Sequence, residues 1–169
     1  DGYDDLIVGA PLNDNAGGTN AGAAYVYLGG TSPGALDVIL HGESTGDEFG
    51  CSVGTAGDVN GDGFDDIIIG ANSNYSGGAY AGRAYVFCGR LGGIEQEAVA
   101  DVTMTGAAAY DYLGYRAGTA GDVNGDGYDD VIVGAYGSDV GGSSAGQAYV
   151  YYGGGTMDEV ADRTLTGLA

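Results

Sequence analysis

Oxygen-bearing side chains recur at alternate positions in two segments of the sequence, 57–66 and 121–130. In each segment three Asp, one Asn and one main-chain carbonyl could offer oxygen atoms to a single cation. Calcium takes about 6–8 oxygen ligands and is bound by turns that carry oxygens at alternate positions. The sequence therefore predicts one calcium site in each segment. The predicted ligands are Asp58, Asn60, Asp62, Asp66 and the carbonyl of Phe64 in the first, and Asp122, Asn124, Asp126, Asp130 and the carbonyl of Tyr128 in the second.

The residues that follow each segment indicate which kind of calcium loop it forms. A helical EF-hand loop needs a Glu at its twelfth position, but that position holds Ile69 in one segment and Val133 in the other. Both residues lie in β-branched runs, which favour strands. A metal-free turn rich in Asp, Asn and Gly is the alternative, but the repetition of the pattern and the mutual repulsion of its carboxylates favour a metal. We therefore predict a calcium loop within a β-hairpin.

The net charge of the chain limits its partners. The 24 acidic residues stand against four arginines and no lysine, which gives a formal charge of −20 over 169 residues. Such a surface repels nucleic acid and anionic membranes, and the sequence has no apolar stretch of about 18 residues, the length that crosses a membrane. We expect neither nucleic-acid binding nor membrane insertion. Weak calcium sites are typical of extracellular modules, so we expect a secreted or cell-surface protein.

Few side chains are suited to catalysis. His41 is the only histidine, and we interpret it as a strand residue with a structural role. The chain has no lysine and no nucleophile with an evident base, and saturated calcium cages leave no open position for chemistry. Cys51 and Cys88 are predicted to lie on the first and third strands of one repeat, too far apart for a disulfide, and to be free and buried. We therefore predict that the chain is not an enzyme.

Repeated motifs divide the chain into three units. The motif Asp-Gly-aromatic-Asp-Asp occurs three times, at intervals of 61 and 64 residues. We place the units at 1–43, 44–106 and 107–169. The first unit begins inside the oxygen-rich loop, so we expect only an incomplete calcium site there. Its residues are Asp1, Tyr3 and Asp5.

Each full unit contains four segments with strand character and no helical period. The near-continuous apolar runs at 67–71 and 131–135 predict strands that are covered on both faces. Long loops rich in Gly, Ser and Asn follow these runs. Four antiparallel strands in about 60 residues are typical of a β-propeller blade. The predicted fold is therefore all-β, with three propeller blades of which the first lacks its first strand.

These motifs resemble the FG-GAP repeat of integrin α-subunits and of bacterial extracellular proteins. The resemblance rests on Phe49-Gly50, the loop at 58–66 and Gly70-Ala71; Gly9-Ala10-Pro11 matches the end of the motif, and the third unit has Leu113-Gly114 in place of Phe-Gly. It implies a closed ring, typically of about seven blades, with calcium between the first two strands of a blade. Three units are too few for such a ring. The resemblance therefore implies further units as partners, from a parent protein or from copies of the chain, in a ring rather than a filament.

The leading functional hypothesis is a non-catalytic, calcium-stabilised extracellular scaffold for adhesion or protein–protein interaction, whose variable loops supply the contact surface. Carbohydrate binding is an alternative, because tyrosines in or near the loops could stack on sugar rings. A structural repeat of an extracellular filament, or an accessory domain of a secreted enzyme, is another. The segment 74–76 is a formal glycosylation sequon. The tyrosines in question are Tyr75, Tyr80, Tyr110, Tyr112 and Tyr136.

Overall fold

The structure, a computed structural model, describes residues 3–30, 35–91, 93–94 and 99–168. These residues form eleven β-strands in three antiparallel sheets. No helix that is long and apolar enough to span a membrane occurs among them. The strands are β1 (Leu6–Ala10), β2 (Ala23–Leu28), β3 (Ala35–His41), β4 (Ser52–Gly57), β5 (Asp66–Ala71), β6 (Arg83–Phe87), β7 (Val102–Thr105), β8 (Leu113–Gly121), β9 (Asp130–Ala135), β10 (Gln147–Tyr151) and β11 (Arg163–Thr166).

Strands that follow one another in sequence are also neighbours in each sheet. The first sheet contains β1 to β3, the second β4 to β7 and the third β8 to β11. The all-β fold with four-stranded antiparallel blades is therefore confirmed, and the first sheet has three strands, as predicted. Within the described residues the three sheets do not close into a ring.

The second sheet is covered on both faces. Alternate side chains of β5 meet different neighbours: Ile68 packs in a cluster with the third sheet and Ile69 in a cluster with the first. On β6, Val86 joins the first of these clusters and Tyr85 the second. All four side chains are buried. The apolar run of β5 is thus explained, as predicted, by a sheet on either side.

The two end faces of the array are more exposed. Leu6 on the first sheet is 61% exposed and Leu165 on the third is 56% exposed. The prediction that the run at 131–135 is covered on both faces is only half right, because Ile132 is half-buried. It lies on the face of the third sheet against which the described residues place no further sheet.

The cysteines are unpaired, as predicted. However, both are half-buried rather than buried, and both lie just outside a strand: Cys51 precedes β4 and Cys88 follows β6. The sulfur of Cys51 lies 3.6 Å from the carbonyl oxygen of Gly114 and 3.5 Å from the amide nitrogen of Asn72. These main-chain contacts hold it at the edge of the core. His41 ends β3 and is exposed.

Candidate functional site

The acidic loop between β4 and β5 is organised by its own main chain. One carboxylate oxygen of Asp58 accepts hydrogen bonds from the amides of Gly61 (2.7 Å) and Asp62 (3.0 Å), and the other accepts one from Gly63 (2.9 Å). Three N–H groups of the loop itself therefore orient Asp58, the first predicted ligand.

The next two predicted ligands are held in the same way. Oδ1 of Asn60 accepts the amide hydrogen of Asp62 at 2.8 Å, and Oδ1 of Asp62 accepts that of Phe64 at 3.0 Å. The side-chain amide of Asn60 also donates to the second oxygen of Asp62 at 3.1 Å. A carboxylate has about four lone-pair sites, so these oxygens can accept an N–H and still contact a cation.

Asp66, at the start of β5, is fully buried. Its two oxygens accept the amide hydrogens of Val59 (2.9 Å) and Gly89 (2.7 Å). Burial and, to a smaller extent, the negative charges of Asp62 and Asp58 raise the pKa of Asp66 from 3.8 to about 6. Neither ion pair found among the described residues involves a carboxylate of this loop. Within that part of the chain the charge of Asp66 has no cationic side chain paired with it.

The loop between β8 and β9 repeats this pattern. Asp122 accepts three amide hydrogen bonds, from residues 125–127, at 2.6–3.1 Å. Asp130 is fully buried and accepts the amide hydrogens of Val123 and Gly153, both at 2.9 Å. The hydrogen bonds among the remaining predicted ligands also match those of the first loop; they join Asn124, Asp126 and Tyr128. The ten-residue motif therefore specifies the same local structure twice.

These loops offer a mixed set of oxygen donors. The described residues contain no group of three or more His, Cys, Asp or Glu side chains placed to hold a metal ion together. Each loop instead combines carboxylates with an amide oxygen and a main-chain carbonyl, which is the donor chemistry that suits calcium. A divalent cation would offset both the burial of Asp66 and the repulsion from its neighbours. The donor types present therefore suit such an ion, but within the described residues the three carboxylates of a loop are not gathered around one point.

The first unit keeps only part of this arrangement. Oδ1 of Asp5 accepts the amide hydrogen of Gly29 at 2.8 Å, which corresponds to the bond from Gly89 to Asp66. Tyr3 is 54% exposed, and Asp1 lies outside the described residues. The incomplete site expected there stays a prediction.

A contact that sequence reasoning missed joins the two loops. The carboxylate of Asp129 accepts the amide hydrogen of Asp58 at 3.0 Å, and the amide of Asp129 donates to the carbonyl of Asp58 at 3.1 Å. The amide of Gly154 donates to the carbonyl of Val59 at 2.7 Å. The first predicted ligand of one loop is thus fixed by the next unit. The doubled Asp in each copy of the motif was the available signal, because calcium needs only the second Asp of each pair.

Tyrosine side chains form a continuous ladder that links the second and third units. Neighbouring ring centroids lie 4.6–5.9 Å apart. The loop at 72–82 joins the second and third strands of its sheet, so it lies at the opposite end from the acidic loop. Sequence reasoning singled out five of the six members and missed Tyr115. The ladder comprises Tyr75, Tyr80, Tyr110, Tyr112, Tyr115 and Tyr136.

Backbone strain and exposure distinguish this tyrosine ladder from ordinary core packing. Tyr80, Tyr110 and Tyr112 have φ values of 55°, 68° and 55°, a conformation that costs an aromatic residue about 1–3 kcal/mol. Tyr75 and Tyr110 are 50% and 56% exposed. The proximity of the Tyr80 hydroxyl raises the pKa of the Tyr75 hydroxyl to about 12. The ladder therefore packs the two units together and also presents aromatic rings to solvent.

The model of the FG-GAP repeat matches residues 1–27, 49–87 and 114–151. These stretches make up more than half of the chain and contain both acidic loops. The chain belongs to the FG-GAP repeat family. Integrin α-subunits carry related sequence: the chain is 35% identical over 146 residues to integrin alpha-5 of Xenopus laevis and 34% identical over 138 residues to integrin alpha-6 of Gallus gallus.

These alignments take in most of the FG-GAP chain but little of the relatives. They cover 82% and 80% of the chain, and only 14% and 12% of the two integrin subunits. The chain is also 33% identical over 164 residues to the phosphatidylinositol-glycan-specific phospholipase D of Bos taurus, an alignment that covers 91% of the chain and 19% of that protein. The chain thus spans less than a fifth of the length of each of these relatives.

The structure explains the two glycines that give the FG-GAP motif its name. A Cβ atom on Gly9 would lie 2.0 Å from the carbonyl oxygen of Gly50, and one on Gly70 would lie 1.9 Å from that of Gly114. Each pair joins the next-to-last residue of the strand before the long loop of one unit to a residue near the start of the next unit. The glycines of the motif therefore lie at a contact between sheets, where the two main chains are too close together to leave room for a side chain.

Proposed function

We propose that the chain is a calcium-stabilised, non-catalytic extracellular scaffold for adhesion or protein–protein interaction. Membership of the FG-GAP family and similarity to integrin α-subunits support an interaction scaffold of the cell surface. The observation that carries the calcium part is the fully buried carboxylate of Asp66 beside two further carboxylates, with its pKa raised by burial and by their charges.

Calcium would bind to equivalent oxygen atoms in the two loops. A bound ion would supply positive charge between carboxylates that otherwise repel one another, and so would favour the folded loop. Asp58 or Asp122 would be held in place by three amides, while the buried Asp66 or Asp130 would close the site from the strand side. The proposed ligands are Asp58, Asn60, Asp62, Asp66 and the Phe64 carbonyl, and Asp122, Asn124, Asp126, Asp130 and the Tyr128 carbonyl.

The non-catalytic part rests on the scarcity of reactive side chains. The only histidine of the sequence, His41, is exposed at the end of β3, at the margin of the first sheet. The similarity to a phospholipase D shows that related sequence also occurs in a protein named as an enzyme, which favours the accessory-domain alternative over catalysis by these units. We expect no turnover of phosphodiester, ester or glycoside substrates by the isolated chain.

The proposed partners include further propeller units. The first sheet exposes Leu6 and Val8, which occupy the positions of Ile67 and Ile69 in the second unit, where Ile69 is fully buried against a neighbouring sheet. We infer that another blade, from the parent polypeptide or from a copy of the chain, covers this face. Burial of such apolar side chains is worth about 25 cal/mol per Å².

Thermal unfolding with and without a calcium chelator tests the proposed function. An ion bound only by the native state adds about 2.7 kcal/mol at a hundredfold excess over Kd, which corresponds to about 5–11 °C in Tm for a chain of this length. Chelation empties two such sites and should lower Tm by about twice this amount, and Asp62→Ala should remove about half of the response because one loop remains.

Asp65→Asn is the matched control. Asp65 lies in the same loop but is exposed and is not a proposed ligand, so this variant should keep the full response to chelator. A parent chain whose unfolding curve does not change on chelation would contradict the calcium assignment.

A further inference from the structure

A cavity opens beside one end of the tyrosine ladder. Its volume is about 350 Å³, and it lies between the turn that begins the second unit and the loop that follows β5. The cavity lies at the end of the sheets opposite to the acidic loops, so ligand binding there is separate from calcium binding. The lining residues are Ser44, Thr45, Asp47, Asn74, Tyr75 and Ser76.

Two buried polar side chains form the floor of this cavity. Asp47 and Asn74 are each only 2% exposed; burial raises the pKa of Asp47 overall, although Asn74 is close enough to lower that pKa in part. Asp47 accepts the amide hydrogen of Ser44 at 3.0 Å, and Asn74 accepts that of Ser76 at 2.9 Å. These bonds fix the carboxylate and the carboxamide in one orientation. Asn74 is also the acceptor of the glycosylation sequon, and because it is buried it is not accessible for glycosylation in the folded chain.

The rim has a different character from the floor. Ser44, Thr45 and Ser76 place hydroxyl groups around the opening, and each hydroxyl can both donate and accept a hydrogen bond. Tyr75 adds a half-exposed aromatic ring, supported from behind by Tyr80 at a centroid distance of 4.7 Å. The cavity thus combines a supported aromatic ring, neutral hydroxyls and a fixed carboxylate.

The third unit shows which of these features the fold requires. At the corresponding position Asp111 is buried and accepts the amide hydrogen of Ala108 at 2.9 Å, and Ser138 is also buried. The buried Asp of the floor is therefore present in both full units. The rim differs between them, because the hydroxyls and the ring are replaced in the third unit. Their counterparts there are Ala108, Ala109, Asp139 and Val140.

We propose that this cavity binds a neutral sugar ring of an oligosaccharide. The ring would stack on Tyr75, with its hydroxyls exchanging hydrogen bonds with Ser44, Thr45 and Ser76 and donating to Asp47. A rim that both donates and accepts suits sugar hydroxyls, whereas a cation would need acceptors alone. The formal charge of −20 disfavours an acidic sugar, and the nearby guanidinium of Arg83, paired with Glu43 at 3.0 Å, already provides a cation next to Asp47.

A sugar bound here would be a ligand of the proposed interaction scaffold, and only in that sense does the sugar site rest on the proposed function. Its test is a titration of the full chain with chitotriose, lactose and maltotriose up to about 10 mM, a range that reaches weak binding. Saturation-transfer NMR and tyrosine fluorescence report binding; the chain has no tryptophan to obscure the latter. Melting in chelator is recorded on the same samples, so a failure of sugar binding is distinguishable from a failure of the calcium scaffold.

Variants then locate the site. Tyr75→Ala should weaken binding about tenfold through loss of the stacked ring, and Thr45→Val roughly threefold through loss of one hydroxyl. Tyr110→Ala is the matched control, because Tyr110 is another exposed member of the ladder that does not line the cavity. This control should leave affinity unchanged.

Binding of at least one trisaccharide or disaccharide that is lost in Tyr75→Ala and kept in Tyr110→Ala supports the inference. Absence of binding by all three sugars overturns it, as does binding that both tyrosine variants weaken equally. Binding of a short arginine peptide at this cavity, with none of the three sugars bound, overturns it in favour of a cationic partner.

Discussion

Replacing Asp129 by Ala should loosen the link between the two acidic loops. Asp129 is half-buried, and its carboxylate accepts the amide hydrogen of Asp58 at 3.0 Å across the junction of two units. The substitution removes this bond but leaves the main-chain bond from the amide of Asp129 to the carbonyl of Asp58 at 3.1 Å. It therefore isolates the contribution of one side chain.

The size of the effect follows from the chemistry of that bond. A hydrogen bond to a charged group contributes about 1.5–3 kcal/mol. Partial exposure lets water replace part of it, and removal of one negative charge beside an acidic loop offsets a further part. We expect a net loss of about 1 kcal/mol, or about 2–4 °C in Tm for a chain of this size. Asp129→Asn, which keeps an acceptor oxygen, should lose less.

Thermal unfolding followed by circular dichroism, in calcium and in chelator, measures this loss. Asp65→Ala is the control, because Asp65 holds the same place in the second unit but is exposed and makes no side-chain hydrogen bond within the described residues. The reasoning predicts a shift for Asp129→Ala in both buffers and almost none for Asp65→Ala. Equal shifts for the two variants would refute it.

Three further predictions concern the sheets and their junctions. Met104→Ala should destabilise the chain by about 2–5 kcal/mol because Met104 is fully buried between sheets, whereas Leu165→Ala, at the same place on the exposed end face, should cost less than half as much; urea unfolding compares them. Gly70→Ala should abolish or severely reduce folding in an expression and melting test, because its Cβ would lie 1.9 Å from a carbonyl oxygen, but Gly134→Ala should be tolerated because the nearest atom is 3.6 Å away. Burial raises the pKa of Asp47 above 3.8, so the folded chain binds a proton more readily than the unfolded one and loses stability as pH rises from about 4 through the folded pKa. The stability of Asp47→Asn relative to the parent should therefore increase over that pH range, and parallel pH profiles of unfolding would contradict this.

The features that the sequence predicted are those fixed within one unit. The β-branched run at 67–69 and the loop at 58–66 both depend on residues close together in the chain, and their strands and hydrogen bonds follow from spacing and side-chain type. The missing strand of the first unit could be predicted for the same reason. Residues that are close together in the sequence are sufficient to specify each of these features.

The features that the sequence did not predict depend on how one unit meets the next. Asp129 and Asp58 are 71 positions apart, and no periodic pattern indicates that they touch. The place of Tyr115 in the ladder, and the half-exposure of Ile132, likewise depend on which sheet lies alongside. Alternation in a strand shows which side chains share a face, but it does not show whether that face has a neighbour.

The glycine contacts between sheets bear on how such a chain grows in evolution. A unit that ends in one half of the contact and begins with the other half is complementary to a copy of itself. Tandem duplication of the gene segment for one unit therefore creates a working junction at once, without the chance appearance of a new interface. Unequal recombination could add or remove a blade in the same way. In the loops at either end of the sheets, the residues that contact the neighbouring unit, such as Asp129 and the tyrosines of the ladder, are tied to this junction, whereas the other loop residues are free to diverge after each duplication.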